Sequence, residues 1–225
     1  AKIPENVKNE TAVFTVLGSI GLQGVRLANL TIGEKVVVIG LGVIGLLTTQ
    51  ILISHGCKVL CLDIDEKKLE IAKKYGADVM NSGNNEFLSE VVDKFTGGVG
   101  ADAVLIASSS NDNSIIHNAA KISRKRGRII LIGVTGLKLN RDDFYEKELT
   151  FQVSCSYGPG RYDESYEVQG TDYPIGYVRW TEKRNFEFIL ELMSQGKINI
   201  DELKSLKFPF DKAIEAYENL KIKSN

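Results

Sequence analysis

Three cysteines and two histidines in 225 residues are poor material for a metal centre or a disulfide framework. Cys57, Cys61 and Cys155 form no CxxC pair, and only His55 and His117 are there to join them. Cys57 and Cys61 flank or lie in a strand, where a buried reduced thiol is the expectation, and that points to a reducing compartment. An excess of charge of one sign is lacking too. Against 28 basic residues stand 29 acidic ones, so nothing in the balance recruits nucleic acid or an anionic membrane. The one basic cluster, Lys121, Arg124, Lys125, Arg126 and Arg128, reads as a solvated turn between a helix and a strand. No charged-apolar-small signal opens the sequence. The apolar stretch 36–53 is interrupted by three glycines and by Thr48, Thr49 and Gln50, which suits a buried strand and helix rather than a membrane span. A cytoplasmic protein is expected.

What is present is organised around Val36 to Gly45, VVVIGLGVIG. An apolar run leads into Gly40, Gly42 and Gly45, and a helix-like apolar run follows from Leu46 to Ile53. That is the pattern of a buried parallel strand, a tight turn and a helix start. Gly40 lets the chain turn, Gly42 lets the backbone approach a pyrophosphate, and Gly45 lets the helix pack on the strand. The free N–H groups of the helix then face the anion. A second strand, KVLCLD, ends at Asp63, roughly 20 residues beyond the glycines. A carboxylate there takes both ribose hydroxyls of NAD and repels the 2′-phosphate of NADP. Asp65 and Glu66 add to the repulsion, whereas Lys67 and Lys68 act against it. NAD is therefore expected ahead of NADP.

Residues 1–33 read as a leading helix, Glu10 to Asn29, and a linker, with Gly18, Gly21 and Gly24 allowing close helix packing. Residues 34–155 alternate strands and helices. After the first two strands come the helix EKKLEIAKKYGA, the strand ADVM, the helix NNEFLSEVVDKFTGG and the strand DAVLIA. A helix from Ser114 to Ser123, the strand RIILIGV, a helix near Asp142 to Lys147 and the strand LTFQVSC complete the series. The alternation predicts an α/β fold, a Rossmann doubly wound parallel sheet of order 3-2-1-4-5-6, with a small C-terminal extension. Ligands bind at the carboxyl edge of such a sheet, which marks Ser108, Ser109, Ser110 and Asn111 after the fourth strand, and Ile132, Gly133 and Val134 in the fifth. Gly133 and Gly136 would let a flat ring approach the backbone, or merely make the turn. Residues 156–180 carry no period, and so long a loop is functional or disordered; its aromatics argue against disorder. Residues 181–225 give an amphipathic helix from Thr181 to Gln195, a strand around Lys204 to Phe208, and a last helix, DKAIEAYENL, capped by Asp211.

The glycine-rich leading helix, GLGVIG, LDIDEKKLEIAKKYGA, RGRIILIG and FPFDKAIEAYENL together resemble the cofactor-binding half of the medium-chain, zinc-type alcohol dehydrogenase superfamily, over residues 1 to about 220. Within it, FYEKEL, SYGPGRYD and DYPIGYVRWTEKRN are similar to the dehydrogenase portion of bacterial two-part oxidoreductases of surface polysaccharide synthesis. The resemblance implies NAD pyrophosphate at Gly40 to Gly45, with Leu41, Val43 and Ile44 supplying backbone contact. It implies the adenosine ribose on Asp63 with Lys68 beside it, and Ser108, Ser109, Ile132, Gly133 and Val134 along the nicotinamide side. These are cofactor residues, and none is catalytic. The reaction implied is hydride transfer between the nicotinamide and an alcohol or carbonyl carbon.

Two departures from the family bear on activity. Its amino-terminal barrel domain has no counterpart here, so the chain is expected to be a fragment, or to take its other half from elsewhere. It would bind nucleotide and turn over nothing alone, and its partner would be the catalytic barrel domain of the parent chain. At the metal-ligand position of the leading helix stands Thr15, and a hydroxyl is a poor zinc ligand, which makes a catalytic zinc doubtful. An exposed apolar patch is expected at Ile198 to Leu220 or along the leading helix. A homodimer is expected through the edge strand Leu149 to Cys155. Groups that approach substrate would come from Arg161, Tyr162, Tyr173 or Arg179, unless those residues pack as a lid or domain interface. A different class of reading is a non-catalytic nucleotide-sensing or dimerisation module.

Overall fold

The structure is a computed structural model that describes residues 1–83, 87–203 and 207–223. Its strands are β1 Lys35–Ile39, β2 Lys58–Asp63, β3 Asp78–Asn81, β4 Ala101–Ile106, β5 Ser123–Leu131 and β6 Thr150–Val153. They form one sheet of order β3-β2-β1-β4-β5-β6, with every neighbouring pair parallel. This is the order the alternation predicts. The helices are α1 Asn9–Ala12, α2 Thr15–Leu27, α3 Val43–Ser54, α4 Glu66–Lys74, α5 Leu88–Thr96, α6 Ser114–Ile122, α7 Arg141–Tyr145, α8 Glu164–Glu167, α9 Glu182–Ser194 and α10 Ala213–Lys223. Val36, Val37 and Val38 in β1, and Ala103, Val104, Leu105 and Ile106 in β4, are wholly buried. Helices cover both faces of the sheet, so these strands read as apolar runs without alternation. One core lies between the sheet and α2, α3, α4 and α9; the other lies under α5 and α6. Among the described residues no helix is long and apolar enough to cross a membrane.

Several elements differ from the sequence reading. The leading helix is two pieces, α1 and α2. Where they part, the Thr15 hydroxyl donates to the Ala12 carbonyl at 2.6 Å, a local bond that competes with the helical ladder. The three leading glycines do serve close packing: a Cβ on Gly21 would lie 2.4 Å from Thr48 Oγ1 of α3, and one on Gly18 would lie 3.1 Å from Ile189 of α9. The basic cluster is solvated only in part: Lys121 is exposed in α6, and Lys125 and Arg126 are exposed where β5, which begins at Ser123, shifts register opposite Ala101 and Ala103, whereas Arg124 and Arg128 are half-buried. Arg124 pairs with Asp102 at 2.6 Å, Arg126 with Glu148 at 3.3 Å and Arg128 with Glu34 at 2.8 Å. β5 ends at Leu131, earlier than RIILIGV implies, and β6 is one of the two edge strands, with β3 at the other edge.

The helix NNEFLSEVVDKFTGG survives as α5, while Asn84, Asn85 and Glu86 lie outside the described residues. Of the strand expected at Lys204 to Phe208, residues 204–206 lie outside them too, and Lys207 and Phe208 are in no strand. Asp211 is not a cap, because it sits inside a 3-10 turn, Phe210–Lys212, that runs into α10. Of the apolar residues expected to be exposed, Phe210, Ile214 and Tyr217 are open to solvent, as are Val13 and Val16, whereas Ile198 and Ile200 are buried.

Cys57 and Cys61 are buried and Cys155 is exposed. Burial pushes the Cys57 thiol up to about 11 and the Cys61 thiol up to about 12. Native protein treated with a disulfide reagent at mildly alkaline pH should release one equivalent fast, from Cys155, and the other two only on unfolding. Fast reaction at all three would contradict this packing. Because the folded values of Cys57 and Cys61 lie above the unfolded one, the stability they contribute is full below about pH 8.5. It is lost as the pH rises toward 11 and 12.

Candidate functional site

The sheet order reverses between β1 and β4, so the connections leaving these two strands diverge and open a crevice at their carboxyl ends. A cavity of about 590 Å³ lies there. Its floor is Ile39, Gly40 and Leu62; Asp63 and Lys68 form one wall, and Ser108, Ser109 and Ser110 the other.

The three glycines of GLGVIG do different work. Gly40 has φ of +92°, and a Cβ on it would lie 2.6 Å from the Ser108 nitrogen. Gly45 sits in the first turn of α3, where a Cβ would lie 1.9 Å from the Gly40 carbonyl oxygen. Both are demanded by the chain's packing on itself. Gly42 is not: its φ is −63° and nothing lies within 4 Å of a Cβ placed on it. Gly42 is also the N-cap of α3, and no side chain caps that helix. The first N–H groups of a helix have no partner within it, so the amides of Val43 and Ile44, at the positive end of the helix dipole, can accept an anion. Gly42→Ala should therefore leave thermal stability nearly unchanged, within about 1 kcal/mol, while a methyl group in the open space weakens dinucleotide binding at least tenfold. Unchanged binding by this variant would show that the open space is not used.

Asp63 ends β2 and is 9% exposed. Its Oδ2 accepts the Leu41 N–H at 2.6 Å and its Oδ1 accepts the Asp65 N–H at 3.0 Å. Lys68 Nζ stands 3.8 Å from Oδ1. Each carboxylate oxygen keeps an unused lone pair, which is what two ribose hydroxyls require. Leu41 needs correction here. Its N–H is committed to Asp63 and its side chain is wholly buried, so it ties the glycine turn to β2 instead of offering an amide to a phosphate. Asp65 is likewise occupied, accepting the Lys67 N–H at 2.9 Å as the N-cap of α4.

Ser108 lines the cavity, and its Oγ is buried without a partner. Its carbonyl accepts the Val134 N–H at 3.0 Å, and the Val134 carbonyl accepts the Ser110 N–H at 2.8 Å. Ile132, Gly133 and Val134 thus run beside the serine ribbon but do not line the cavity. The Ile132 side chain packs against Gly24 of α2. A Cβ on Gly133 would lie 2.1 Å from the Ser108 carbonyl oxygen, and one on Gly136 would lie 2.4 Å from Asn113 Oδ1. Close chain contact accounts for both glycines without a ring. The sequence reading missed Asp112 and the α6 residues Ser114, Ile115 and Asn118, which complete the serine wall. The polar run SSSNDNS was the available signal. The Ser114 hydroxyl and N–H hold the Asp112 carboxyl below its ordinary range.

The segment 156–180 is ordered by contacts within itself and by α9, whose Arg184 donates to the Tyr173 carbonyl at 2.9 Å and whose Asn185 donates to the Tyr157 carbonyl at 2.8 Å. Arg161 pairs with Glu167 at 2.5 Å and lies 4.1 Å from the centroid of the Tyr162 ring. The Tyr173 hydroxyl bonds Asp163, and its ring stacks on Tyr166 with centroids 5.3 Å apart. Arg179 lies 3.9 Å from the centroid of the Trp180 ring. None of Arg161, Tyr162, Tyr173 and Arg179 lines the cavity.

A zinc ion does not fit the residues present. Thr15 is buried with its hydroxyl turned to Ala12, and the described residues hold no group of three His, Cys, Asp or Glu able to ligate a metal. A dinucleotide does fit, since a bare Gly42, an uncapped α3 and the open lone pairs of Asp63 share one crevice.

Residues 43–169 match the family model described as zinc-binding dehydrogenase. A D-xylulose reductase of Morganella morganii is 27% identical over 221 residues, covering 96% of this chain and 57% of that protein. Sorbitol dehydrogenase 1 of Saccharomyces cerevisiae is 28% identical over 225 residues, covering 96% and 56%. Among solved structures, the alcohol dehydrogenase TADH from Thermus sp. ATN1 superposes with a TM-score of 0.79 at 24% identity, covering 100% of this chain and 60% of that one. The chain spans a little over half the length of these relatives.

Proposed function

Because the chain belongs to the zinc-binding dehydrogenase family, we propose that it is the NAD(H)-holding part of an enzyme that moves a hydride between nicotinamide and an alcohol or carbonyl carbon. A polyol and its ketose are the proposed substrate pair, supported by relatives named for xylulose and sorbitol. The observation that carries the reading is the bare Gly42 and uncapped α3 beside Asp63.

When bound, the nicotinamide supplies the hydride donor or acceptor, and this chain supplies position and charge. The Val43 and Ile44 amides neutralise the diphosphate. Asp63 accepts the adenosine ribose hydroxyls and opposes a 2′-phosphate, which favours NAD over NADP. The unpartnered Ser108 hydroxyl is a donor waiting at the crevice. The serine ribbon, backed by the Val134 backbone, is the proposed wall on the nicotinamide side. No step is assigned to a metal, because the residues present do not ligate one.

The catalytic barrel domain of the parent protein is the proposed partner, and the chain alone would bind nucleotide without turnover. Homodimerisation is proposed through β6, an edge strand with Val153 exposed. Kinship with the dehydrogenase portion of two-part polysaccharide oxidoreductases is proposed on the likeness of FYEKEL, SYGPGRYD and DYPIGYVRWTEKRN alone. A cytoplasmic setting suits three free thiols. The test is NADH formation by the full-length protein with sorbitol, and NADH consumption with xylulose. Turnover of either supports the enzyme; tight NADH binding with no turnover of any polyol would favour a nucleotide-sensing module.

A further inference from the structure

With the diphosphate on the α3 amides and the adenosine ribose on Asp63, the base of a bound dinucleotide lies past Asp63, at the end of the crevice away from α3. Three aliphatic side chains of the cavity belong to that end: Ile64, which follows Asp63, Leu88 at the start of α5, and Ile115 in α6. α5 and α6 lie on the face of the sheet opposite α3, and Leu88 and Ile115 pack in one cluster beneath them. Ile64 is 72% exposed. A flat base laid against these three would cover it.

The polar groups of the neighbouring wall are largely committed to one another. Asp112 accepts the N–H and the hydroxyl of Ser114, at 2.8 and 2.6 Å, and its own N–H donates to Ser110 Oγ at 3.1 Å. Asn118 is different. It lines the cavity, is half-buried, and among the described residues its carboxamide has no hydrogen-bond partner. It stands one turn after Ser114, on the stripe of α6 that meets the crevice, while Ile116, Ala119 and Ala120 turn to the core. Helical side chains lean toward the N-terminus of their helix. For α6 that terminus is the crevice end, so the carboxamide is carried toward the aliphatic slot.

We propose, on the reading that this crevice holds a dinucleotide, that Asn118 reads the base and makes the site specific for adenine. A carboxamide carries an acceptor and a donor side by side. Its Oδ1 accepts from the 6-amino group and its Nδ2 donates to N7, a pairing that suits adenine alone among the purines of natural nucleotides. Hypoxanthine has a carbonyl oxygen where adenine has the amino group. Two acceptors then face the carboxamide, and one of them stays unpaired. The aliphatic slot attracts any purine, and Asn118 chooses among them.

The probes are NADH and reduced nicotinamide hypoxanthine dinucleotide, each titrated calorimetrically into the protein and into Asn118→Leu. The wild type is expected to bind NADH about tenfold more tightly than the analogue. Asn118→Leu keeps the bulk and favours the helix. It should bring the two dinucleotides within about twofold of each other, by weakening NADH and leaving the analogue nearly unchanged. Asn118→Ala decides if Asn118→Leu fails to fold. NADH binding without preference in the wild type, or with the preference kept in the folded variants, would overturn the role of Asn118 and leave the cofactor reading standing. Binding of neither dinucleotide would overturn both.

Discussion

Gly45→Ala should cost the protein stability and cofactor binding together. The added Cβ would lie 1.9 Å from the Gly40 carbonyl oxygen, a backbone atom that no rotamer change can move aside. α3 must lift from β1, or the turn at Gly40 must open. Either shift lies at the upper end of overpacking costs, about 3 kcal/mol or more, which for a chain of this size lowers Tm by roughly 6–12 °C. Lifting α3 also moves the Val43 and Ile44 amides off the crevice, so NADH affinity should fall by more than tenfold. Gly42→Ala is the control, because its side chain meets open space and should weaken binding with Tm nearly unchanged. A Gly45→Ala protein with wild-type Tm and wild-type NADH affinity would contradict the packing argument.

Asp63→Asn should have the second large effect, and its two consequences are separable. In the wild type each carboxylate oxygen holds a backbone N–H, from Leu41 at 2.6 Å and from Asp65 at 3.0 Å. A carboxamide has one oxygen, so one of those N–H groups must face a donor. Losing a hydrogen bond to a charged acceptor costs about 1.5–3 kcal/mol. The second consequence is electrostatic. Removing this charge leaves Lys68, 3.8 Å from Oδ1 in the wild type, with only Asp65, at 3.9 Å, against its attraction for a phosphate. NADH affinity should fall about 10- to 100-fold, equivalent to ~1.4–2.8 kcal/mol, while NADPH affinity should fall less or rise. Parallel titrations read the ratio, and an unchanged ratio would show that Asp63 does not select against the 2′-phosphate.

The sheet was legible because its signal is local. Strands covered on both faces read as short apolar runs such as VVVI and DAVLIA, each closed by glycine or polar residues, and the alternation with helices fixes the order. The glycine turn and Asp63 were legible for the same reason. What failed to show depends on residues far apart in sequence. Arg128 looked like part of a solvated cluster because its partner, Glu34, precedes it by a whole half of the fold. Leu41 looked like a phosphate contact because only the folded chain brings Asp63 to its N–H. Gly133 suggested room for a ring, although Ser108, on the neighbouring strand's extension, already occupies the space. The α6 wall was missed because which face of a helix meets the crevice depends on its packing angle. The segment 156–180 has no periodicity to read, since pairs such as Arg161 with Glu167 and Tyr173 with Asp163 hold it.

The central claim is that the crevice between β1 and β4 holds NAD(H), with Asp63 rejecting the phosphorylated cofactor. The most direct measurement is calorimetric titration of the protein with NADH and, in parallel, NADPH. Saturable NADH binding at one site per chain, at least tenfold tighter than NADPH, is the predicted result. Equal or reversed preference would mean that Lys67 or Lys68 captures the 2′-phosphate in spite of Asp63, and binding of neither nucleotide would contradict the account.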